Sequence, residues 1–202
     1  WKIKINETKY VQVNFTLRRE HCPQVLVRLY NNNIPQSPRV KYLGIHMDSR
    51  LTWKDHVINK RKQIDLKTKD LNWLIGRRYN LSIENEVLLC KTIIKPIWAY
   101  GIELLGCARK SNILIIQRSQ SKILRTITNA PWYVNNQTLH TDLNIPYIKD
   151  DIREKSTSHH KKQANYPNDI LQPLVEPQHN RRLRRHWPAD LKENCGRDSP
   201  RH

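Results

Sequence analysis

Glycine is scarce in this chain, with five in 202 residues. So few leave no glycine-rich loop whose backbone amides could cradle a phosphate, and the nucleotide-binding classes that depend on such a loop are set aside. Acidic residues are also in the minority, 18 against 36 lysines and arginines. The four cysteines, Cys22, Cys90, Cys107 and Cys195, are widely scattered. None forms C-x-x-C and none stands at a zinc-finger distance from histidines, so no structural zinc site is indicated. They read as reduced intracellular thiols, with Cys90 and Cys107 in apolar surroundings. No apolar run is long enough to cross a bilayer, and no leading apolar stretch resembles a signal peptide. Methionine occurs once, at Met47, and the first residue is Trp1, so the chain is expected to be a fragment or a processed product of a longer one.

What is present is positive charge. The formal net charge is +18. A field of that sign draws in polyanions, nucleic acid foremost. The length fits one large domain or two small ones, and an apolar fraction of 38% implies a thin core or a part that does not pack.

Periodicity divides the chain. In "WKIKI" and "VQVNFTL", Trp1, Ile3 and Ile5, then Val11, Val13, Phe15 and Leu17, alternate with polar residues, which predicts a hairpin of half-buried strands. "VLVRLY" is a third extended run, with a turn at Asn31 to Asn33. "VKYLGIHM" is a fourth, with Leu43, Ile45 and Met47 on one face and Tyr42, Gly44 and His46 on the other. Gly44 inside a strand marks a bulge or a close backbone approach. From Trp53 the period turns helical. Val57, Ile64, Leu71, Leu74 and Ile75 make one apolar stripe, and Gly76 suits the helix end. A second helix follows Ser82, a fitting N-cap, with Glu84 and Glu86 in its first turn. Pro96 should kink or end it. A third runs from Ser111 or Asn112 to Asn129, where Asn129 and Pro131 stop it. The fold class predicted is α+β: a small antiparallel strand pair or sheet, then a three-helix bundle, then a largely irregular C-terminal tail rich in proline and charge.

Chemistry is hard to find. Two-metal phosphoryl transfer needs carboxylates held together on rigid elements. Asp150 and Asp151, in "YIKDD", are the adjacent pair, and many polymerases carry an aromatic-x-Asp-Asp turn. That turn joins two apolar strands, whereas "IREKSTSHHKK" follows here and reads as a helix with its acids at the N-terminal end. His46, His56 and His140 have no serine or cysteine at an informative spacing, and the histidine pairs of the tail offer no closed ligand set. No catalytic residue and no metal site is assigned. The residues alone describe a basic nucleic-acid-binding chain.

Longer strings carry a resemblance. "VKYLGIHMDSRLTWKDHV", "LIGRRYNLSIENEVLLCKTIIKPIWAYGIEL" and "IQRSQSKILRTITNAPWYVNNQTLHTDLNIP" resemble the reverse transcriptase of jockey-type non-LTR retrotransposons, and the likeness covers nearly the whole chain. It implies the C-terminal portion of a right-hand polymerase. Residues 1-50 would be the end of the palm with a primer-supporting hairpin, 51-148 a helical thumb, and 149-202 a basic proline-rich tail. The catalytic aspartates would lie upstream, since no aromatic-Asp-Asp turn of the required context is present. The nucleic-acid-binding residues implied are Lys41, Tyr42 and Gly44 in the hairpin, and Lys54, Lys60, Arg61, Lys62, Lys67, Lys69, Arg77 and Arg78 along the basic helix. Partners would be an RNA template, an RNA–DNA or DNA duplex, and the palm and fingers of the same polymerase, with no membrane. No cofactor is expected in this chain; Mg is expected for the complete polymerase only. The place of action would be the nucleus and cytoplasm, as a ribonucleoprotein. Two other readings stand beside this one: a non-enzymatic basic binding protein derived from a mobile element, and a ribosomal or histone-like protein.

Overall fold

A computed structural model describes residues 9–16, 25–29, 32–75 and 81–167. The chain forms two compact units, Trp1–His56 and Val57–His202. The class is α+β.

Among the described residues, the first unit holds two short antiparallel strand pairs. β1 (Arg28–Leu29) pairs with β2 (Asn32–Asn33). β3 (Arg39–Tyr42) pairs with β4 (Ile45–Asp48), from Arg39 opposite Asp48 to Tyr42 opposite Ile45. The fourth extended run is therefore not one strand. It folds back on itself at Leu43 and Gly44, which take φ of 46° and 78°. Two consecutive positive φ values are the backbone twist that a tight two-residue hairpin requires, and glycine at the second position meets it without a Cβ clash. Gly44 is a turn residue, not a bulge. The predicted hairpin at the start falls largely on residues outside those described. Its described part is no regular strand: Gln12 forms a single parallel bridge to Gln36, and Phe15, expected to face a core, is 53% exposed.

Helix α1 (Lys54–Asp70) begins in this unit, and the division between the units falls within it, after His56. Asp48 prepares its start. One carboxylate oxygen accepts from the backbone N–H groups of Thr52 at 2.9 Å and Trp53 at 3.1 Å. Leu51 and Trp53 both sit at positive φ, a costly conformation for bulky side chains, and the carboxylate offsets it.

The second unit is helical. α2 (Ile83–Leu89) starts at Ser82, whose hydroxyl accepts from the Asn85 amide. Pro96 does not end the helical path. The turn before it widens into one π-helical turn, Cys90–Ile94, closed by Lys95 N–H on the Cys90 carbonyl. α3 (Lys95–Ala99) then carries on, and the path breaks at Gly101, φ 70°, before α4 (Ile102–Leu105). α5 (Lys110–Thr128) stops at Asn129 in the left-handed conformation, which asparagine tolerates better than most residues. α6 (Asn136–Asp142) is capped by the Asn135 side chain. α7 (Ile148–Ala164) has Asp150 and Asp151 in its first turn, where the helix dipole favours acids.

The arrangement is more than three helices. α5 packs against α2, α6 and α7, and α4 packs against α7. Residues 148–164 form a packed helix, which agrees with the helix read at 152–162 behind its N-terminal acids and shortens the largely irregular tail expected from 149; residues beyond 167 lie outside those described. Ile64, Ile94, Trp98, Ile116, Ile123 and Ile145 are buried and line one small apolar space. Ile64 comes from α1, so the part of that helix beyond His56 shares this core.

Candidate nucleic-acid interface

In the first unit, Lys41 and Tyr42 close β3, and both are exposed, as is Gly44 in the turn. They lie at the tip of the antiparallel β3–β4 hairpin. Lys54 is exposed at the first position of α1. Arg39, at the other end of β3, is held by Asp55 at 3.0 Å.

In the second unit the basic residues of α1 do not share one environment. Val57, Lys60 and Ile64 are spaced three and four apart, so they fall on one face, and that face is buried. Lys60 is 8% exposed. Its ammonium lies 5.0 Å from the centre of the Tyr100 ring, and burial lowers its pKa. The aliphatic stem packs inward and the charge is held over an aromatic face, which removes it from the outward set. Arg61 is tied to Asp65, one turn on, at 2.9 Å. Lys67 stands 4.0 Å from Asp70. Lys62 and Lys69 are exposed. Seven residues apart, they return to the same side of the helix after nearly two turns, opposite the buried stripe. Arg77 and Arg78 lie outside the described residues. Lys62 and Lys69 are what this outward side of α1 offers to a phosphate; Lys67 is exposed but lies about 150° round the helix from them.

The second unit also holds basic residues that the sequence reading passed over. Arg118 and Lys122 are exposed on α5, a helix with no aspartate or glutamate in its 19 residues. The missed signal was that absence of acids, which stands out only once the helix limits are known.

Asp150 and Asp151 do not form a metal-binding pair. Asp150 is exposed, while Asp151 is 2% exposed and its carboxylate receives Lys95 Nζ at 2.6 Å. Adjacent positions on a helix diverge by about 100°, so the two carboxylates face different surroundings. Among the described residues no group of three or more histidine, cysteine or acidic side chains could hold a metal ion, and no helix is long and apolar enough to cross a membrane.

Known proteins resemble the chain closely. It is 37% identical over 191 residues to the protein described as "Probable RNA-directed DNA polymerase from transposon X-element" of Drosophila melanogaster, a match covering 95% of this chain and 21% of the relative. It is 32% identical over 204 residues to the RNA-directed DNA polymerase from mobile element jockey of Drosophila funebris, covering 96% of this chain and 22% of that one. The jockey polymerase of Drosophila melanogaster is also 32% identical, over 200 residues, with 95% and 22% covered. The chain thus spans about a fifth of the length of the curated relatives it matches. No protein-family profile matches it, and no solved structure does.

Proposed function

The chain is homologous, nearly end to end, to one stretch of the jockey-type RNA-directed DNA polymerases of non-LTR mobile elements, and on that premise we propose that it holds template–primer for such a polymerase and does not itself perform the chemistry. The observation that carries this reading is the alignment over more than nine-tenths of the chain to proteins named as RNA-directed DNA polymerases. It explains the charge excess, since a polymerase must grip a polyanion without regard to sequence, and lysines on phosphates do that.

In this reading residues 1-50 are the end of the palm, with the exposed Lys41–Gly44 hairpin tip contacting the primer strand. Residues 51-148 are the thumb, which takes an RNA–DNA hybrid by its backbone and shape. Residues 149-202 follow as a basic tail. Lys62 and Lys69 supply the phosphate contacts of α1. Catalytic carboxylates and Mg belong to other parts of the polymerase, which, with the RNA template, are the chain's partners.

Two assays on the purified chain test this. Filter binding should retain an RNA–DNA hybrid at low salt, and primer extension with Mg should give no product. Incorporation of nucleotides would overturn the assignment of chemistry to other parts, and failure to retain hybrid would overturn the holding role.

A further inference from the structure

Resting on that reading, we propose a second nucleic-acid contact in the helical unit: the outward face of α5 with the loop that follows it, where Trp132 receives an unstacked base of a single strand. α5 carries Lys110, Arg118, Lys122 and Arg125 and no acidic residue. The other long helices mix their signs, α1 with Asp55, Asp65 and Asp70, and α7 with Asp150, Asp151 and Glu154. Arg118, Lys122 and Arg125 stand at i, i+4 and i+7, so they share one face of α5. Arg118 and Lys122 are exposed.

Arg125 joins this face to the loop. Its guanidinium donates to the carbonyls of Pro131 at 3.0 Å and Val134 at 2.5 Å, and to Asn136 Oδ1 at 2.9 Å and 3.2 Å. The loop backbone is therefore pinned against α5. Between the pinned carbonyls stand Trp132, 89% exposed, and Tyr133, 71% exposed. Their rings meet edge to face at 6.0 Å. Tryptophan is strongly buried on average. Here a fixed backbone holds one almost wholly in water, beside an acid-free basic face.

The occupant follows from the charge. A polyanion fits a cationic flank, whereas an apolar or basic protein helix does not. Stacking on an indole needs an exposed base face, which a paired and stacked duplex lacks and a single strand supplies.

The test uses the full chain and an oligothymidylate of about 16 nucleotides, the upper end of common single-strand site sizes. Trp132→Ala with Tyr133→Ala should lose roughly 5- to 150-fold in affinity, the range for removing base–aromatic stacking. The slope of log affinity against log salt should stay as in the wild type. Trp132→Phe should keep most of the affinity, and an abasic oligomer should bind the wild type and the double variant alike. Arg118→Ala with Lys122→Ala should instead lower the slope, by roughly 1.4 in all. Both rings are exposed, so the double variant should melt with the wild type. Unchanged binding by the double variant, while the wild type binds oligothymidylate and hybrid, would overturn this inference alone and leave the loop to a protein partner. A wild-type chain that binds neither nucleic acid would overturn the inference together with the reading it rests on.

Discussion

Lys95 Nζ lies 2.6 Å from Asp151 Oδ1, a contact between residues 56 apart in sequence. It joins α3 to the first turn of α7. The two ends are unequal: the Asp151 side chain is buried, while that of Lys95 keeps about a third of its surface in water.

That asymmetry sets the first prediction. Lys95→Met leaves a buried carboxylate without its cation and should cost about 3–5 kcal/mol, the usual range for an orphaned buried charge. Asp151→Ala leaves a lysine that can turn into solvent and should cost distinctly less. Thermal denaturation of the two variants measures the difference. Equal losses would show that the pair does not act as its burial implies.

Asp48 carries the second. Its carboxylate accepts from the amides of Thr52 and Trp53 and offsets two left-handed residues, Leu51 and Trp53. Asp48→Ala should destabilise this turn by about 1–3 kcal/mol, and hydrogen exchange at the Thr52 and Trp53 amides should quicken. Asp48→Asn, which keeps one acceptor oxygen, should retain part of the protection. Exchange rates unchanged in the alanine variant would refute the capping role.

Lys60 provides the third, and it separates stability from binding. Lys60→Met keeps the packed stem and removes the desolvated charge, so stability should hold or rise by about 1 kcal/mol, with hybrid binding unaltered. The pH dependence gives a sign. The folded-state pKa lies below 10.5, so just below that pH the unfolded chain binds more protons than the folded one. Stability contributed at this site therefore increases with pH in that window. The wild type minus Lys60→Met difference should show this increase; a flat difference would contradict the burial of the ammonium.

Cys90 supplies the fourth. Burial pushes its thiol up to about 11, and the thiolate is the reactive form. Iodoacetamide near pH 8 should modify the half-exposed Cys107 well before Cys90, whose labelling should climb only as pH approaches 11. Peptide mass spectrometry reads both sites. Comparable rates at pH 8 would place Cys90 outside the core.

Much of this architecture was legible in the sequence because it rests on local signals. Ser82 opened α2, Asn129 closed α5, and Asp150 with Asp151 marked a helix start; each acts within one turn of itself. Long-range facts were not legible. Alternation at Val11, Val13 and Phe15 reads as a strand, yet alternation yields one only where a neighbouring strand supplies a ladder of hydrogen bonds; the described part of this segment makes an isolated bridge, Gln12 to Gln36, and a separate bond from the Thr16 amide to the Ser49 carbonyl. Leu43 concealed a hairpin, since leucine seldom occupies a left-handed turn position. α7 looked too polar to pack, but Ile148, Ile152 and Ser156, four residues apart, give it a buried stripe, and the partner of Asp151 lies far away at Lys95. α6 rests on a buried contact no local pattern announces. His140 Nδ1 lies 2.8 Å from the Ile145 carbonyl and its Nε2 3.1 Å from Gln117 Nε2. Gln117 Oε1 takes the Ile148 amide, so its nitrogen is left to donate toward the histidine ring.

The surroundings of the candidate binding residues were the least legible. Charge can be counted in a sequence, but whether a lysine faces solvent, a ring or a carboxylate depends on packing. α1 shows all three, with Lys62, Lys60 and Arg61 in turn.

The most direct test of the holding role is a salt titration of RNA–DNA hybrid binding by the wild type and by the variant Lys62→Ala, Lys69→Ala, with Lys60→Met alongside. Two lost phosphate contacts should lower the slope of log affinity against log salt by about 1.8, while Lys60→Met should leave it where the wild type has it. A double variant with the wild-type slope, or an equal fall in Lys60→Met, would contradict the assignment of α1's outward lysines to nucleic acid.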